Sequence, residues 1–311
     1  MASSRNLPRN LPSPADVITN AILDRLEAGV RPWVQPWRPG SGSRPLRATG
    51  EAYRGINCFW LWMVAENRGY LSPNWMTWKQ AEALGGQVRK GERAEIAIFF
   101  KNYTKKVDSP VTGETSDEQR RVMRSYRVFN ADQIDNLPEH FHPQRLGVVP
   151  PSDTLSPRAE LFIERLPAKV HHRGSSAFYD RADDSITLPP VELFHTRAGW
   201  AATLAHEAAH WSGSPERLNR EFGKRFGDMA YGFEELCAEM TACLLGADLG
   251  LPVEHIDNHA AYIGSWIKLM RKDSRAIFTA AARAEEAYGY LLRLTRLDKP
   301  EAVDDPDRMA A

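Results

Sequence analysis

The sequence predicts an α+β protein: helices and an antiparallel hairpin in the first half, then a mostly helical second half with a small sheet. Three patterns carry that expectation. Apolar residues recur at helical spacing through most of the chain, whereas in "AEIAIFFKNY" and "RVMRSYRVFN" they alternate as strands do, with the polar "DSPVTGETSDEQ" between them. The aperiodic, proline-rich "LPEHFHPQRLGVVPPSDTLSP" separates the two halves as a linker. At 311 residues the chain has room for two domains. Their expected bounds are 1–137 and 157–296, with a linker at 138–156 and a disordered polar tail at 297–311.

In chain order, "SPADVITNAILDRLEAG" is a helix with Ser13 as its N-cap, Pro14 in its first turn and Gly29 as its terminator. Val17, Ile18, Ala21, Ile22 and Leu26 form its apolar face. "RPWVQPW" is extended, because proline fixes φ and disfavours helix in the residue before it. "CFWLWMVAENRG" is a second helix; Trp60 and Trp62 cannot share one of its faces, so at least one is buried. A third helix starts at Thr77, where Thr77 and Gln80 spell a capping box, and stops at "GG". The hairpin follows a basic turn, "VRKGER". Beyond the linker come a helix in "RAELFIERL", an extended segment from Ala177 to Pro189 broken by the turn "RADD", and helical patterns over 230–248, 253–271 and 274–294.

Composition excludes several classes. No run approaches the ~18 consecutive apolar residues of a bilayer span, and the start "MASSRNLPRNLPSP" lacks the apolar stretch of a secretory signal, so a soluble, cytoplasmic protein is expected. Cys58, Cys237 and Cys243 are too few and too scattered for a disulfide framework or a thiolate zinc cluster. Any metal must therefore be held by nitrogen and oxygen.

"TLAHEAAHWSG" sets His206 and His210 four apart with Glu207 directly after the first. On a helix, that spacing brings both imidazoles to one face, where they can share an ion, and puts a carboxylate beside it. Zinc in such a site takes a third protein ligand and leaves one position to water, whose pKa falls to about 7; Glu207 is placed to take its proton. The pattern arises by chance in roughly one chain of this length in a hundred, so its surroundings must support it. They do. Trp200, Leu204 and Ala208 give the helix a packing face and Gly213 ends it. In "YGFEELCAEMTACLLGADLG", Glu235 and Glu239 lie on an otherwise apolar, small-residue face, where burial is costly unless a cation receives them. Glu235 is the expected third ligand, and Glu239 the acceptor for a histidine N–H; their order is reversible. Glu234 is expected to point away into solvent. Glu216 is a competing third ligand, because "HEAAHWSGSPE" matches a compact three-histidine pattern with glutamate in the last place. The strand before the helix is a candidate edge for pairing with an extended peptide. His171, His172 and His195 read as surface or structural, and His255 and His259 lack a carboxylate partner. The expected cofactor is Zn2+, or a similar divalent ion such as Mn2+.

The formal net charge of zero hides an asymmetry. Residues 1–149 carry 21 Lys and Arg against 15 Asp and Glu, a net +6, which leaves −6 for the rest. A basic first half suits a polyanion. There, tryptophans are interleaved with Arg and Lys in "YRGINCFWLWM" and "PNWMTWKQAEALGGQVRKGE", as a surface that stacks bases and binds phosphates of single-stranded DNA requires. Arg54, Lys79, Arg89, Lys90 and Arg93 are the candidate phosphate contacts, and Trp75 and Trp78 the candidate stacking platforms.

"DVITNAILDRLEAGVRPWVQPW", "YRGIN", "GYLSPNWMTWKQAEALGGQVRKGE" and "FNADQID" resemble, in order and spacing, the N-terminal single-stranded-DNA-binding domain of ArdC-type antirestriction proteins and of the related plasmid TraC primases. "HEAAHWSGSPERLNR" and "FEELCAEMTACLLG" resemble the zincin-like metallopeptidase domain joined to it, and the likeness spans about residues 15–295. The resemblance implies a plasmid- or phage-borne protein that protects incoming DNA from restriction endonucleases, with a restriction-modification protein as a possible target. It carries the metal motif onto His206, Glu207, His210 and a glutamate of "EELCAE". Ala131 in "FNADQID" departs from the family, where an apolar anchor is common. Two other readings stand beside it: a DNA-occluding protein whose metal is structural or vestigial, and a primase accessory.

Overall fold

A computed structural model of the chain describes residues 12–33, 44–108, 115–142, 154–222, 229–252 and 259–298. Helix α1 (Pro14–Glu27) begins as its sequence dictates: the Asp16 N–H donates to Ser13 Oγ while the Asp16 carboxylate accepts from the Ser13 N–H. Two otherwise orphaned donors are thereby satisfied. Ile18, Ile22 and Leu26 form its buried stripe. After β1 (Leu46–Arg47) comes α2 (Ile56–Arg68), in which every residue from Ile56 to Val64 is buried, Trp60 and Trp62 both included. A helix apolar on all sides belongs inside a protein.

Next come β2 (Asn74–Met76), α3 (Trp78–Ala83) with its Thr77/Gln80 capping box, β3 (Gln87–Val88), β4 (Glu95–Asp108), β5 (Thr115–Asn130) and β6 (Ile134–Asp135). One sheet has the order β1-β2-β5-β4, and β3 pairs with β6. The hairpin is longer than its alternation suggests, and its strands take in much of the expected loop. The register runs unbroken from Glu95↔Val128 to Asp108↔Thr115, so the ladder continues through this polar stretch. The expected linker also starts late. Glu139–Phe141 is a 3-10 turn, Phe141 is buried, and its carbonyl accepts from Ser72 Oγ at 2.7 Å. Residues 143–153, the rest of that linker, lie outside the described residues, as do most of "RPWVQPW" and His255.

The second half contributes α4 (Pro157–Arg165), β7 (Lys169–His172), β8 (Phe178–Asp180), β9 (Ser185–Leu188), α5 (Arg197–Ser212), α6 (Met229–Leu249), α7 (His259–Lys272) and α8 (Ala276–Leu294). The "RADD" turn makes a hairpin of β8 and β9, in a sheet of order β7-β9-β8. The strand just before α5 is therefore the central one, and β8 forms an edge beside it. That corrects the expectation of an edge there. α6 is packed by α5, α7 and α8 and is buried along most of its length. The expected tail starts too early, since Leu297 is 2% exposed and its carbonyl accepts from Arg158. Residues 299–311 lie outside the described residues.

One hydrophobic core runs across both halves, joining Ile18, Ile22, Leu61, Ile98, Met240, Leu244, Trp266 and Ile277. Polar ties cross with it: Arg44 to Glu285 at 2.6 Å, and Thr19 Oγ1 donating to the Ser274 carbonyl at 2.8 Å. The three cysteines are buried and free. Among the described residues no helix is long and apolar enough to cross a membrane.

Candidate metal centre and nucleic-acid surface

Helix α5 is capped by Thr196, whose hydroxyl accepts from the Gly199 N–H, and is buried from Trp200 to Ser212. Alanines at 201, 202, 205, 208 and 209 let α6 come close. His206 Nε2 and His210 Nε2 lie 3.2 Å apart and point at a common spot. From α6, Glu235 Oε1 stands 3.6 Å from His210 Nε2, and its Oε2 3.8 Å from His206 Nε2. Bonds of 2.0–2.1 Å at tetrahedral angles separate ligand atoms by about 3.3 Å, so this donor set fits a small divalent cation. Among the described residues, His206, His210 and Glu235 are the group that meets in this way.

The far nitrogens face carboxylates. His206 Nδ1 is 3.9 Å from Glu239, and His210 Nδ1 is 3.3 Å from Glu234. The Glu234 acceptor at His210 Nδ1 favours a proton there and an Nε2 lone pair turned to a cation, while Glu239 stands farther from His206, on the same side. Glu239 lies on the far side of His206 from the common spot. Glu234 is not where the sequence puts it: it is 2% exposed rather than solvated. The reason is that α6 has no solvent side at this level, and Arg220 neutralises the carboxylate through Nε at 2.9 Å and Nη2 at 2.7 Å. Arg220 also donates to the Ala209 carbonyl and Ser212 Oγ. A Cβ on Gly213 would come within 2.6 Å of its guanidinium, so glycine there makes room as well as ending the helix. Glu239 has an arginine too, Arg31 Nη1 at 2.5 Å, supplied by the segment after α1. Each histidine is thus backed by a glutamate and each glutamate by an arginine. Neither arginine was legible as a partner in the sequence, because both arrive from elsewhere in the fold.

Glu207 is buried beside this cluster and pushed up to about 7: burial dominates, His210 and a backbone hydrogen bond from Tyr179 of β8 pull the other way, and Glu235 adds to the rise. For His210, burial opposes the charged form, but Glu235 and Glu234 outweigh it and hold the imidazole well above its usual range. The Tyr231 hydroxyl lies at Glu235 and 3.2 Å from the Tyr262 hydroxyl. Glu216 is exposed on the turn after α5 and is not part of the group. His195 is exposed, His171 lies 3.5 Å from Asp183, and His172 stacks on Trp200.

In the basic half, Trp75 is 1% exposed and meets Tyr70 edge-on. It is a core residue, because β2 is an inner strand buried on both faces, and it cannot stack on a base. Trp78 is 52% exposed. Arg54, Lys79, Lys90 and Arg93 are exposed as well. Arg89 is exposed but committed, donating to Glu92 at 3.1 Å, to Asp135 at 3.4 Å and to the Asp132 carbonyl.

Comparison with known proteins matches two families, one in each half of the chain. Residues 13–129 match the N-terminal domain of anti-restriction factor ArdC, and residues 157–283 match a zincin-like metallopeptidase family. The chain is 40% identical to the antirestriction protein ArdC of plasmid R388 in its metal-free crystal structure, covering 92% of this chain and 99% of that one, with a TM-score of 0.76. For the Mn(II)-bound structure of the same protein the figures are 38%, 91%, 98% and 0.74. An uncharacterized protein of Sinorhizobium fredii, y4eC, is 36% identical over 88% of this chain and 91% of its own length. DNA primase TraC of Escherichia coli is also 36% identical over 88% of this chain, which corresponds to 26% of TraC.

Proposed function

The chain belongs to the family of ArdC antirestriction proteins, and from that premise we propose that it protects incoming plasmid or phage DNA from restriction endonucleases inside the receiving cell. Its first half binds single-stranded DNA, and its second half is a zinc-dependent metallopeptidase site whose target is a restriction-associated protein. The observation that carries the second part is the approach of His206 Nε2, His210 Nε2 and Glu235 to one spot beside Glu207. The charge asymmetry carries the first.

His206, His210 and Glu235 would hold the ion, with zinc favoured by the nitrogen and oxygen donor set and Mn2+ the alternative. A bound divalent ion supplies Lewis-acid polarisation of a carbonyl and acidifies a water. Glu207 takes the proton from the attacking water at its carboxylate and passes it to the leaving amine. Burial raises its carboxyl in the metal-free protein, which favours proton uptake there. Glu234 keeps the Nδ1 proton of His210 in place, and Glu239 stands on the same side of His206. Tyr231 Oη is a donor for the oxyanion that develops on the scissile carbonyl.

One observation favours a second reading, a DNA-occluding protein with a structural metal. The four site residues are only 5–9% exposed, which limits the access of a peptide to them. The variant Glu207→Ala separates the two. It should keep its metal and its DNA affinity yet lose protection in a transfer assay into a restricting host. Full protection by that variant excludes hydrolysis as the mechanism.

A further inference from the structure

Beyond Ile98 the β4–β5 hairpin leaves the core, and every described side chain of β4 from Phe99 outward is exposed. The pairs from Phe99↔Arg124 to Asp108↔Thr115 make a two-stranded arm roughly 30 Å long at ~3.3 Å per residue. A ribbon that reaches away from its core gains little from folding by itself. Its side chains are not those of a merely solvated loop. Phe99, Phe100 and Tyr103 are 46%, 41% and 42% exposed. The arm, residues 99–108 and 115–124, carries six Lys and Arg against three Asp and Glu, and the three acidic residues all lie towards its tip.

Strand geometry sorts these residues. Alternate positions share a face, so Phe99, Lys101 and Tyr103 lie together, with Arg124 directly across from Phe99 and Tyr126 one step inward. The rings of Phe99 and Tyr126, 5.9 Å apart, bear this out. Phe99 and Tyr103 are about 14 Å apart along the strand, with the Lys101 cation between them. Exposed aromatic rings on a ribbon with an excess of cations match the chemistry of unpaired bases joined by phosphates.

We propose that the Phe99–Lys101–Tyr103 face of the β4–β5 arm, with Arg124, is a stacking surface for single-stranded DNA. The assignment rests on the reading that the chain binds single strands, and it moves the stacking platforms from the buried Trp75 to this arm. Bases lie on Phe99 and Tyr103, and Lys101 and Arg124 meet the phosphates.

The test uses the full chain and a fluorescein-labelled 20-nucleotide oligodeoxythymidine, with anisotropy measured between 50 and 200 mM salt. Phe99→Ala and Tyr103→Ala should each weaken binding about tenfold, the double variant about a hundredfold, and Phe99→Tyr should restore it. Arg124→Ala should lower the slope of log affinity against log salt by about one. Circular dichroism should show the variants folded, as exposed positions allow. Wild-type affinity in the folded double variant, with loss instead in Trp78→Ala and Lys79→Ala, overturns the assignment and puts the surface at α3. Equal loss for a duplex of the same length overturns stacking as the mode. An altered gel-filtration volume with unchanged DNA affinity makes the arm a self-association surface. Failure of the wild type to bind the oligonucleotide at all removes the parent reading instead, and is seen before any variant is made.

Discussion

Arg31→Ala removes a cation from the segment after α1, yet its effect should appear at the metal centre. Arg31 and Glu239 form an ion pair with side chains 12% and 1% exposed. Without Arg31, the Glu239 carboxyl must either stay charged in a buried site, at roughly 3–5 kcal/mol, or take up a proton. Protonating a carboxyl of ordinary pKa 4.5 at pH 7 costs about 3.4 kcal/mol, from 2.5 pH units at ~1.36 kcal/mol each. Burial already pushes Glu239 upward, with Arg31 opposing it, so about 3 kcal/mol is the ceiling. The sign with pH follows. In the variant the folded protein holds a proton that the unfolded chain releases above about 4.5, so stability falls as pH rises from there to the folded pKa. Because wild-type Glu239 is itself raised, the deficit should stay below about 3 kcal/mol at pH 7 and shrink towards pH 5. Urea unfolding with a chelator present measures it. A neutral Glu239 also attracts the His206 N–H less, so metal affinity at pH 7 should fall about 10–100-fold. Arg31→Ala with unchanged stability at both pH values and unchanged metal affinity refutes the argument, and a deficit that ignores pH refutes its electrostatic part.

Three further outcomes are expected. His210 is held protonated at neutral pH in the metal-free protein, and a metal needs it neutral, so uptake should release about one proton and affinity should rise with pH through the neutral range; calorimetry in buffers of different ionisation enthalpy detects this, and zero release contradicts it. Arg220→Lys loses the fork that holds Glu234 and should weaken metal binding about tenfold by chelator competition, an unchanged affinity being evidence that His210 needs no such backing. Trp75→Ala should cost about 3–5 kcal/mol in unfolding while the folded fraction keeps its DNA affinity; a stable variant that has lost DNA would restore Trp75 as a stacking platform.

Local signals in the sequence were reliable wherever the physics was local. The Ser13 N-cap, the Thr77 capping box, the period change into the hairpin, and the four-residue spacing of His206 and His210 each depend on neighbours a few positions away, and all are found in the structure. Glu235 and Glu239 stood out because an acidic group on an apolar helix face needs a cation, and Glu235 is the one brought to both histidines. The misreadings arose where a distant segment decides the outcome. Glu234 looks solvated until Arg220 folds over it, and Trp75 looks like a platform until β2 is seen as an inner strand. The linker hid the shared core, because composition marks where periodicity stops and not which faces meet afterwards. The exposure of Phe99 and Tyr103 has no signal in the sequence, since alternation does not reveal how far a hairpin outruns the core beneath it.

The central claim is that His206, His210 and Glu235 converge on one divalent cation. Crystals grown with one equivalent of zinc, with diffraction recorded on either side of the zinc absorption edge, test it most directly. An anomalous peak about 2.0–2.2 Å from His206 Nε2, His210 Nε2 and a Glu235 oxygen is expected, and it should vanish in His206→Ala but persist in His195→Ala. A peak at other residues, or none in protein shown to carry one zinc per chain, would contradict it.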